Sequence, residues 1–346
     1  MACCGGVAAW FPPDAGIVPQ RARMQRDRME QEQVRTKQQK VPNTGAIDRA
    51  GSRCPLCAAE DFAPFRFGLL RCGGCGLVVD PAIFQSGAAE ALNEEAFGEA
   101  YDTGRSFWVR SFEAVKNRRY LANLRRAGVT GGRLLEVGVG RGSFLAAARE
   151  AGFEVEGCDL SASLCRRVQQ ATGITVHNMS LEQLPQDAYD VVAMHHVLEH
   201  VADPVGFLCA ARERLKPGGV LHVAVPNVGC WEARLRGWNS YEPYHVLYFD
   251  PHTLVRAINA SGCRLVQVRT FEAFSVWFLA ILRSLRDPRH APEPSVQKSP
   301  AGAPAAVEHA YRLAMVITGL LTWPLRRVQG WLGKGDELMA VARRES

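Results

Sequence analysis

Residues 134–145 carry the run Leu134-Leu-Glu-Val-Gly-Val-Gly-Arg-Gly-Ser-Phe-Leu145. The apolar start of this run is typical of a short buried strand, and a helical pattern follows from Ser143 to Glu150. Three glycines lie between them, namely Gly138, Gly140 and Gly142. Glycine tolerates positive φ angles and lets a ligand approach the backbone closely. The run therefore predicts a strand, a glycine-rich turn and a helix. Taken alone, G-x-G-x-G also fits a tight turn with a purely structural role.

A carboxylate follows the next predicted strand. The run Val155-Glu-Gly-Cys-Asp159 ends in an acid seventeen residues after Gly142. An acid at this place in an α/β sheet binds ribose hydroxyls through charge-assisted hydrogen bonds. The glycine spacing is one residue shorter than in the dinucleotide-binding fingerprint, and Glu136 within the first strand is unusual for a dinucleotide binder. The pattern E-x-G-x-G-x-G followed by aspartate resembles the Rossmann-like, class I methyltransferases that depend on S-adenosyl-L-methionine (SAM).

Three further runs continue this resemblance in the same order, namely Tyr189-Asp-Val-Val-Ala-Met-His-His-Val-Leu-Glu-His-Val201, Leu215-Lys-Pro-Gly-Gly-Val-Leu221 and Pro226-Asn227. The resemblance implies SAM as the cofactor, bound by Glu136, Gly138, Gly140, Gly142, Asp159, Leu160, Ser180, Leu181 and His195. Asp159 would bind the ribose hydroxyls and Leu160 would pack on adenine. Ser180 stands where the family commonly has an acid for the adenine amine, so a backbone group or the serine hydroxyl would serve instead.

Composition indicates an ordinary globular protein. The 346 residues allow one large domain and a small one, and they are 47% hydrophobic and 22% charged. The formal net charge of +6 is mild and gives no firm indication of a nucleic-acid partner. The eleven cysteines are not spaced like a secreted disulfide framework, so we expect a reducing, cytoplasmic location.

The first fifty residues lack the features of a folded domain or a secretory signal. No basic segment precedes a long apolar run there, and the stretch from Gln20 to Lys40 is polar and basic. We expect a disordered basic tail over 1–50, with a basic helix that contacts RNA or membrane as the alternative. Met24 and Met29 are alternative start sites.

Two C-x-x-C pairs follow this tail, formed by Cys54, Cys57, Cys72 and Cys75. Four thiolates in a tetrahedron form a closed structural zinc site, although the interval of fourteen residues between the pairs is one below the usual range. We expect structural Zn²⁺ on a hairpin that needs the metal to fold, with a redox dithiol or an iron cluster as alternatives. The cysteines together with Tyr101 resemble the zinc ribbon that precedes certain bacterial methyltransferases (methyltransferase domain 23-like), whose acceptors are sugars and cell-surface or natural-product intermediates.

The alternation of predicted strands and helices indicates the fold class. It is α/β, with a doubly wound, mostly parallel seven-stranded sheet, an antiparallel last strand near 337–342, and a small zinc ribbon in front. We predict a zinc ribbon at 51–82, a linker and entry helix at 83–130, and a methyltransferase domain at 131–272 plus 335–346. Ligands then bind at the carboxyl ends of the strands.

The segment His195-His-Val-Leu-Glu-His200 offers a second group of functional side chains. In a helix, His196, Glu199 and His200 would share one face, which is a metal-ligand spacing. Ubiquinone-pathway O-methyltransferases and small-RNA 2′-O-methyltransferases carry E-x-x-E-H here and bind a divalent ion. The V-L-E-H-V string is also widespread in methyltransferases with no known metal. We expect it to shape the pocket beside the sulfonium, with metal binding, base or substrate ligand as alternatives for His196 and His200.

His245 is the first choice for a general base. It lies in the run Pro243-Tyr-His-Val-Leu-Tyr-Phe249, which resembles the P-x-H-x-x-x-F segment of the same family and, more distantly, the E-H segment of sugar C-methyltransferases. A histidine titrates near working pH, so it can take a proton from an acceptor. The alternative is a core histidine that holds the loop.

Residues 273–334 form a predicted helical insertion ahead of the last strand. Ala273 to Arg286 and Ala305 to Leu332 read as helices on either side of the Pro-rich segment 287–304. The apolar run from Leu313 to Leu325 is too short to span a bilayer. The insertion is predicted to form a lid or dimer contact, with peripheral membrane contact as the alternative.

These features predict a SAM-dependent methyltransferase that acts on a small molecule, most simply an oxygen of a sugar, glycan-lipid or natural-product intermediate. The alternatives are a sugar C-methyltransferase, an RNA methyltransferase and a non-catalytic SAM-binding protein. The sequence does not specify the acceptor or the oligomeric state.

Overall fold

The computed structural model describes residues 52–84, 107–242, 244–272, 276–286, 313 and 316–345. The predicted tail at 1–50 with its two start sites, Tyr101 and the Pro-rich segment 287–304 lie outside these residues. The strands are β1 (Phe62–Pro64), β2 (Leu70–Cys72), β3 (Val78–Val79), β4 (Gly132–Val137), β5 (Phe153–Cys158), β6 (Val176–His177), β7 (Tyr189–His195), β8 (Leu215–Pro226), β9 (Leu247–Tyr248), β10 (Cys263–Phe271) and β11 (Glu337–Arg344). The α-helices are α1 (Phe107–Arg126), α2 (Ser143–Glu150), α3 (Ala162–Thr172), α4 (Pro204–Arg214), α5 (Pro251–Ala260), α6 (Val276–Arg286) and α7 (Trp323–Trp331).

Seven strands form the larger sheet, in the order β10-β11-β8-β7-β4-β5-β6. The central pairs β7–β8, β4–β7, β4–β5 and β5–β6 are parallel, and β11 is antiparallel to both of its neighbours, β8 and β10. The predicted doubly wound, mostly parallel sheet with an antiparallel last strand is confirmed. The strand order changes direction at β4, and such a switch point opens a crevice at the carboxyl ends of the strands.

Both faces of this sheet are covered. Leu134 and Leu135 are neighbours on β4 and therefore point to opposite faces, and both are fully buried. Leu134 belongs to a core with Phe144 and other residues of α1, α2 and α3. Leu135 belongs to a second core that includes Leu208 of α4 and Leu254 of α5. A strand buried on both faces accounts for the continuous apolar run in the sequence.

A smaller antiparallel sheet has the order β1-β2-β3-β9. Phe62 pairs with Cys72, which forms the predicted hairpin between the cysteine pairs. The fourth strand, β9, comes from the segment after β8, and Leu247 pairs with Val79. This pairing could not be predicted from local patterns, because the two strands are far apart in the chain and each has only two residues.

The segment between β10 and β11 contributes α6, a helical stretch at 316–321 and α7. The predicted Ala273–Arg286 and Ala305–Leu332 helices overlap these elements where the structure describes them. Within the described residues, no helix combines the length and hydropathy needed to cross a bilayer.

Candidate functional site

The glycine turn at the end of β4 is shaped by close contacts. Gly138 has φ +73°, and a Cβ on it would lie 2.5 Å from a methyl carbon of Val197. Gly142 has φ +72°, and its Cβ would lie 2.5 Å from a methyl carbon of Val168. Gly140 has φ +49°, and no heavy atom lies within 4 Å of its Cβ position. Two glycines are therefore required by packing, whereas the third leaves one side of the turn open for a ligand.

Asp159 sits directly after β5 and braces this turn. Its Oδ2 accepts a hydrogen bond from the Val139 amide at 3.1 Å, and its Oδ1 accepts one from the Ser161 amide at 2.8 Å. Each carboxylate oxygen has two lone pairs, so both can still accept a hydrogen bond from a ribose hydroxyl. The next residue, Leu160, is 78% exposed. A large apolar side chain is therefore open to solvent directly after Asp159, and its packing on adenine stays a prediction.

Ser180 and Leu181 lie beyond β6, at the start of a short 3-10 turn at Leu181–Gln183. The Ser180 amide donates to Gln183 Oε1 at 3.0 Å, so this backbone group already has a partner. Leu181 is only 2% exposed. Ser180 and Gln183 form a capping box at the start of this turn.

Glu136 is buried at 4% exposure, beside the glycine turn. Within the described part of the chain, its Oε2 has no hydrogen-bond partner. Burial raises the pKa of this carboxyl well above its ordinary value. Its Oε1 lies 3.5 Å from His195 Nδ1, which also lacks a hydrogen-bond partner among the described residues. Such orphaned buried polar atoms are costly, and a polar ligand at the turn would satisfy them.

His195 belongs to an aromatic and imidazole stack behind the turn. Its ring lies parallel to that of Tyr120, with ring centroids 4.0 Å apart. Its Nε2 is 2.9 Å from His222 Nδ1. Burial lowers the pKa of His195 well below its ordinary value and that of His222 to about 4, so both rings are neutral at neutral pH. We call the glycine turn, Glu136 and Asp159 the cradle. The structure places His195 beside Glu136, so His195 forms part of the wall of this cradle.

A second cluster surrounds His196, whose backbone is left-handed at φ +58°. This conformation is strained for a residue with a Cβ. His196 Nε2 lies 2.9 Å from Glu337 Oε1 and 2.9 Å from Lys116 Nζ, and Nδ1 lies 3.2 Å from Glu199 Oε1. Burial and Lys116 lower the pKa of His196, but hydrogen bonds to the two carboxylates outweigh them and raise it. The segment is not α-helical, because Leu198–His200 forms a 3-10 turn.

Glu337, the first residue of β11, was not foreseen as a site residue. The Tyr120 hydroxyl donates to Glu337 Oε1 at 2.5 Å, and Lys116 Nζ lies 3.2 Å from the same oxygen. Burial would raise the pKa of this carboxyl, but Lys116 and the His196 hydrogen bond lower it below its ordinary range. Tyr120 and Lys116 lie one turn apart on α1, so the entry helix and the last strand meet at His196.

Glu199, His200 and His245 form a third group. One ligand atom from each lies within 4.8 Å of the other two, and all three residues are buried. His200 Nδ1 is 3.0 Å from the Tyr244 carbonyl oxygen, and His245 Nδ1 is 2.8 Å from the Ser240 carbonyl oxygen. A carbonyl accepts only, so each Nδ1 carries the proton and each Nε2 carries a lone pair.

Imidazoles fixed in this way are typical of metal ligands, whose second nitrogen donates to a carbonyl or carboxylate. Within the described residues, Glu199 Oε2 is a buried oxygen with no hydrogen-bond partner. Burial would raise the pKa of Glu199, but the His196 hydrogen bond and the neighbouring histidines lower it to about 2, so it is ionised. Burial lowers the pKa of His245 to about 3, which leaves the ring neutral. Two imidazoles and one carboxylate fit a divalent cation such as Zn²⁺ or Mn²⁺.

The four cysteines of the ribbon come together as their spacing predicts. Their sulfur atoms all lie within 4.8 Å of one another, and the pairs Cys54–Cys75 and Cys57–Cys72 are each 3.5 Å apart. In a tetrahedron with Zn–S bonds of about 2.3 Å, sulfurs are about 3.8 Å apart. All four are free thiols rather than disulfides. A Cβ on Gly74 would lie 3.2 Å from the Cys57 sulfur, so this turn needs glycine to admit the thiols.

The sheet order, the glycine turn after β4 and the acid after β5 define an α/β domain of the Rossmann-like class. In comparison with known proteins, residues 110–268 match the family model described as Methyltransferase domain. Residues 110–268, a little under half of the chain, are therefore similar to a methyltransferase domain.

Curated relatives match part of this chain. The ubiquinone biosynthesis O-methyltransferase of Cereibacter sphaeroides is 37% identical over 96 residues, covering 26% of this chain and 39% of the relative. The protein with the same name from Paramagnetospirillum magneticum is 41% identical over 100 residues, covering 27% of this chain and 40% of the relative. The match thus spans about two-fifths of the length of these relatives.

Among solved structures, the 1,6-didemethyltoxoflavin-N1-methyltransferase of Burkholderia thailandensis is similar, with a TM-score of 0.46 and 14% identity. The alignment covers 83% of this chain and all of that one, which is described with bound 1,6-didemethyltoxoflavin and S-adenosylhomocysteine.

Proposed function

We propose that this protein transfers a methyl group from SAM to an oxygen of a small-molecule acceptor. The observation that carries this proposal is the open side of the glycine turn at Gly140, flanked by the orphaned Glu136 Oε2 and by the Asp159 carboxylate. These groups suit a ligand with an amine, ribose hydroxyls and a ring. The two relatives named ubiquinone biosynthesis O-methyltransferase support oxygen as the methylated atom.

When bound, SAM supplies a methyl group on a positively charged sulfur, so most of the activation is the cofactor's own. The residues of this chain would hold and orient it. Glu136 Oε2 would accept from the amine, Asp159 would accept from the ribose hydroxyls, and Leu160 would cover the adenine ring. Holding the acceptor oxygen in line with the transferred methyl then supplies much of the rate.

We further propose that Glu199, His200 and His245 hold a divalent cation beside the acceptor. A cation there would lower the pKa of an acceptor hydroxyl and orient it. The support is the pair of carbonyl-bound imidazoles around a carboxylate with an orphaned oxygen. The prediction that His245 is a general base becomes the alternative, in which its neutral Nε2 takes the acceptor proton. If His245 is a ligand, His196 is the histidine that an acceptor can reach, because 36% of its side chain is exposed.

We propose structural Zn²⁺ for the ribbon, on the strength of the four neighbouring thiols. No open coordination position would remain there, so this metal would support the fold without taking part in methyl transfer. The acceptor that we propose is a sugar, glycan-lipid or natural-product hydroxyl, or an intermediate of ubiquinone biosynthesis as in the names of the relatives.

Calorimetric titration with SAM and S-adenosylhomocysteine tests the cofactor. We expect one site on the full chain, which would be followed by assays with isotopically labelled SAM and panels of phenols, sugar nucleotides and lipid-linked sugars. Mass spectrometry of the product separates O-methylation from C-methylation. A folded protein that binds neither nucleoside would overturn the proposal. Binding without transfer to any acceptor, RNA included, would favour the non-catalytic alternative.

A further inference from the structure

Helix α7 has its polar and apolar faces reversed relative to an ordinary surface helix. Arg326 and Gln329 point inward and are 9% and 0% exposed. The outward side chains are large and mostly apolar, with exposures of 54% for Trp323, 49% for Val328 and 85% for Trp331. A helix on a soluble globular protein normally shows the opposite arrangement. The outer face of α7 is therefore made for an apolar environment.

Buried hydrogen bonds fix this orientation. Gln329 Nε2 donates to Glu232 Oε2 at 2.7 Å and to Glu272 Oε2 at 2.9 Å, and its Oε1 accepts from Trp277 Nε1 at 2.9 Å. The Arg326 guanidinium donates to the Gly319 carbonyl oxygen at 2.6 Å. Rolling the apolar face inward would break all of these bonds and leave buried groups unpaired, so the exposed face is a property of the fold.

This face is part of a larger exposed surface. Of the fifteen exposed large hydrophobic side chains among the described residues, eleven come from α6, residue 313 and the segment 316–332. We call these eleven the apolar patch: Ile281, Leu285, Leu313, Ile317, Leu320, Leu321, Trp323, Leu325, Val328, Trp331 and Leu332. A concentration of apolar surface of this kind marks an interaction site.

The charged side chains within the two stretches that carry the patch are all basic. The sequence holds no Asp or Glu from Val276 to Arg286, and none from Tyr311 to Lys334. Arg327 and Lys334 are exposed, and the Arg327 guanidinium lies over the Trp323 ring, 5.3 Å from its centroid. An isologous contact with a second copy would set these cations against themselves, which is unfavourable. A partner that suits this patch has an apolar interior for the apolar side chains and negative charge at its surface for the basic ones.

We propose that the apolar patch docks on the surface of an anionic phospholipid bilayer. Tryptophan is favoured at the boundary between headgroups and acyl chains, and arginine and lysine bind anionic headgroups. The segments would lie along the surface with their apolar side chains inserted to the depth of the headgroup boundary. Membrane docking stands apart from methyl transfer, since it rests on different residues.

The patch lies on the same edge of the sheet as the cofactor cradle. α7 packs against the end of β10, where the Thr270 hydroxyl donates to the Gly330 carbonyl oxygen at 2.9 Å. β10 runs in the same direction as β8, because β11 is antiparallel to both. The carboxyl end of β10 therefore lies at the edge where Gly138 and Asp159 follow their strands. A docked bilayer would face that edge.

Vesicle flotation with the full chain tests the proposal. Vesicles of phosphatidylcholine alone would be compared with vesicles containing phosphatidylglycerol, at low and high salt. We expect binding to the anionic vesicles that weakens with salt. The double variant L321S/W331S should lower the partition coefficient at least about tenfold, because it removes two of the most exposed apolar groups. The variant V266S, which alters an exposed valine on β10 outside the patch, should bind like the unaltered protein.

Circular dichroism and SAM titration would show whether L321S/W331S keeps its fold and cofactor site. Equal flotation of V266S and L321S/W331S, or no flotation of the unaltered chain, would overturn the proposal. A concentration-dependent dimer in light scattering that only L321S/W331S abolishes, with no flotation, would assign the patch to a second copy and would also overturn it.

Discussion

Leu247 pairs with Val79, and this pairing ties the cysteine ribbon to the segment that begins at His245. The Asp80 amide donates to the Val246 carbonyl oxygen at 3.0 Å, and the Val246 amide donates to the Glu199 carbonyl oxygen at 3.0 Å. One short strand therefore bridges the ribbon and the Glu199 turn. The ribbon is part of the scaffold of the candidate site, although its thiols lie outside that site.

Loss of the ribbon metal should therefore loosen the segment that carries His245. In C57S one of the four thiols is gone, and we expect elemental analysis to show at least about tenfold weaker zinc retention, because a closed site needs all four ligands. Hydrogen exchange in a peptide covering 244–249 should rise, and methyl transfer should fall. C209S is the matched control, since Cys209 lies outside the cluster. Unchanged exchange over 244–249 in zinc-free protein would show that the pairing does not depend on the metal.

Asp159 is expected to contribute to SAM affinity. In D159A the ribose hydrogen bonds are lost. Because one charge-assisted bond is worth about 1.5–3 kcal/mol, binding of SAM and S-adenosylhomocysteine should weaken at least about tenfold. Part of the loss would come from the turn itself, since Asp159 also accepts from the Val139 amide. The matched control is E150A, which alters an exposed acid at the end of α2. Calorimetry measures both variants, and affinity within about twofold of the unaltered protein in D159A would contradict the assignment.

The proposed cation site predicts binding of Mn²⁺ to zinc-loaded protein, measured by electron paramagnetic resonance. E199Q keeps the shape of the side chain but removes its charge, and it should weaken Mn²⁺ binding at least about tenfold. E182Q alters an exposed acid elsewhere and should bind as the unaltered protein does. If E199Q and the unaltered protein bind Mn²⁺ equally, the cluster has a structural or proton-transfer role instead.

The carboxyl of Glu272 makes stability depend on pH. Burial, with Asp336 and Glu232 nearby, raises its pKa to about 11, so it is protonated in the folded state at neutral pH. In the unfolded chain it ionises near its ordinary value of about 4.3. Folding therefore takes up a proton between these values, and this contribution to stability is full below the lower pKa and is lost as pH rises towards the upper one.

E272Q should remove this dependence. The Gln oxygen can still accept from Gln329 Nε2 and from the Asp336 amide, as Glu272 Oε2 does. Between pH 5 and pH 9 we expect the stability of E272Q relative to the unaltered protein to rise by several kcal/mol, because each pH unit between the two pKa values is worth about 1.4 kcal/mol. Chemical unfolding at the two pH values measures this. A gain that is the same at both would mean that Glu272 is not protonated in the fold.

Local patterns were enough to predict most of the sheet and the places of the glycine turn and of Asp159 after their strands. A run of consecutive apolar residues predicts a buried strand such as β4, and the glycine turn and Asp159 follow their strands at short spacings. The cysteine cluster likewise depends on short spacings within one hairpin. Features of this kind are set by residues near one another in the chain.

The parts that could not be predicted depend on distant residues. Glu337 reaches His196 and Tyr120 from the far end of the chain, and its short sequence context looks like any strand start. His222 reads as one polar residue in an apolar strand, and only the sheet places it beside His195. The left-handed backbone of His196 has no local signal either, since a left-handed histidine is uncommon.

The position of β11 between β8 and β10 has a consequence for synthesis on the ribosome. β10 contacts the rest of the larger sheet only through β11, and sixty-five residues separate Phe271 from Glu337. At about 5–20 residues per second, roughly 3–13 s pass between the completion of β10 and the start of β11. During that interval the β8 edge is unpaired, and the apolar α6 has already been made. A chaperone or a nearby bilayer that shields these surfaces would then influence how much of the nascent chain reaches the native sheet.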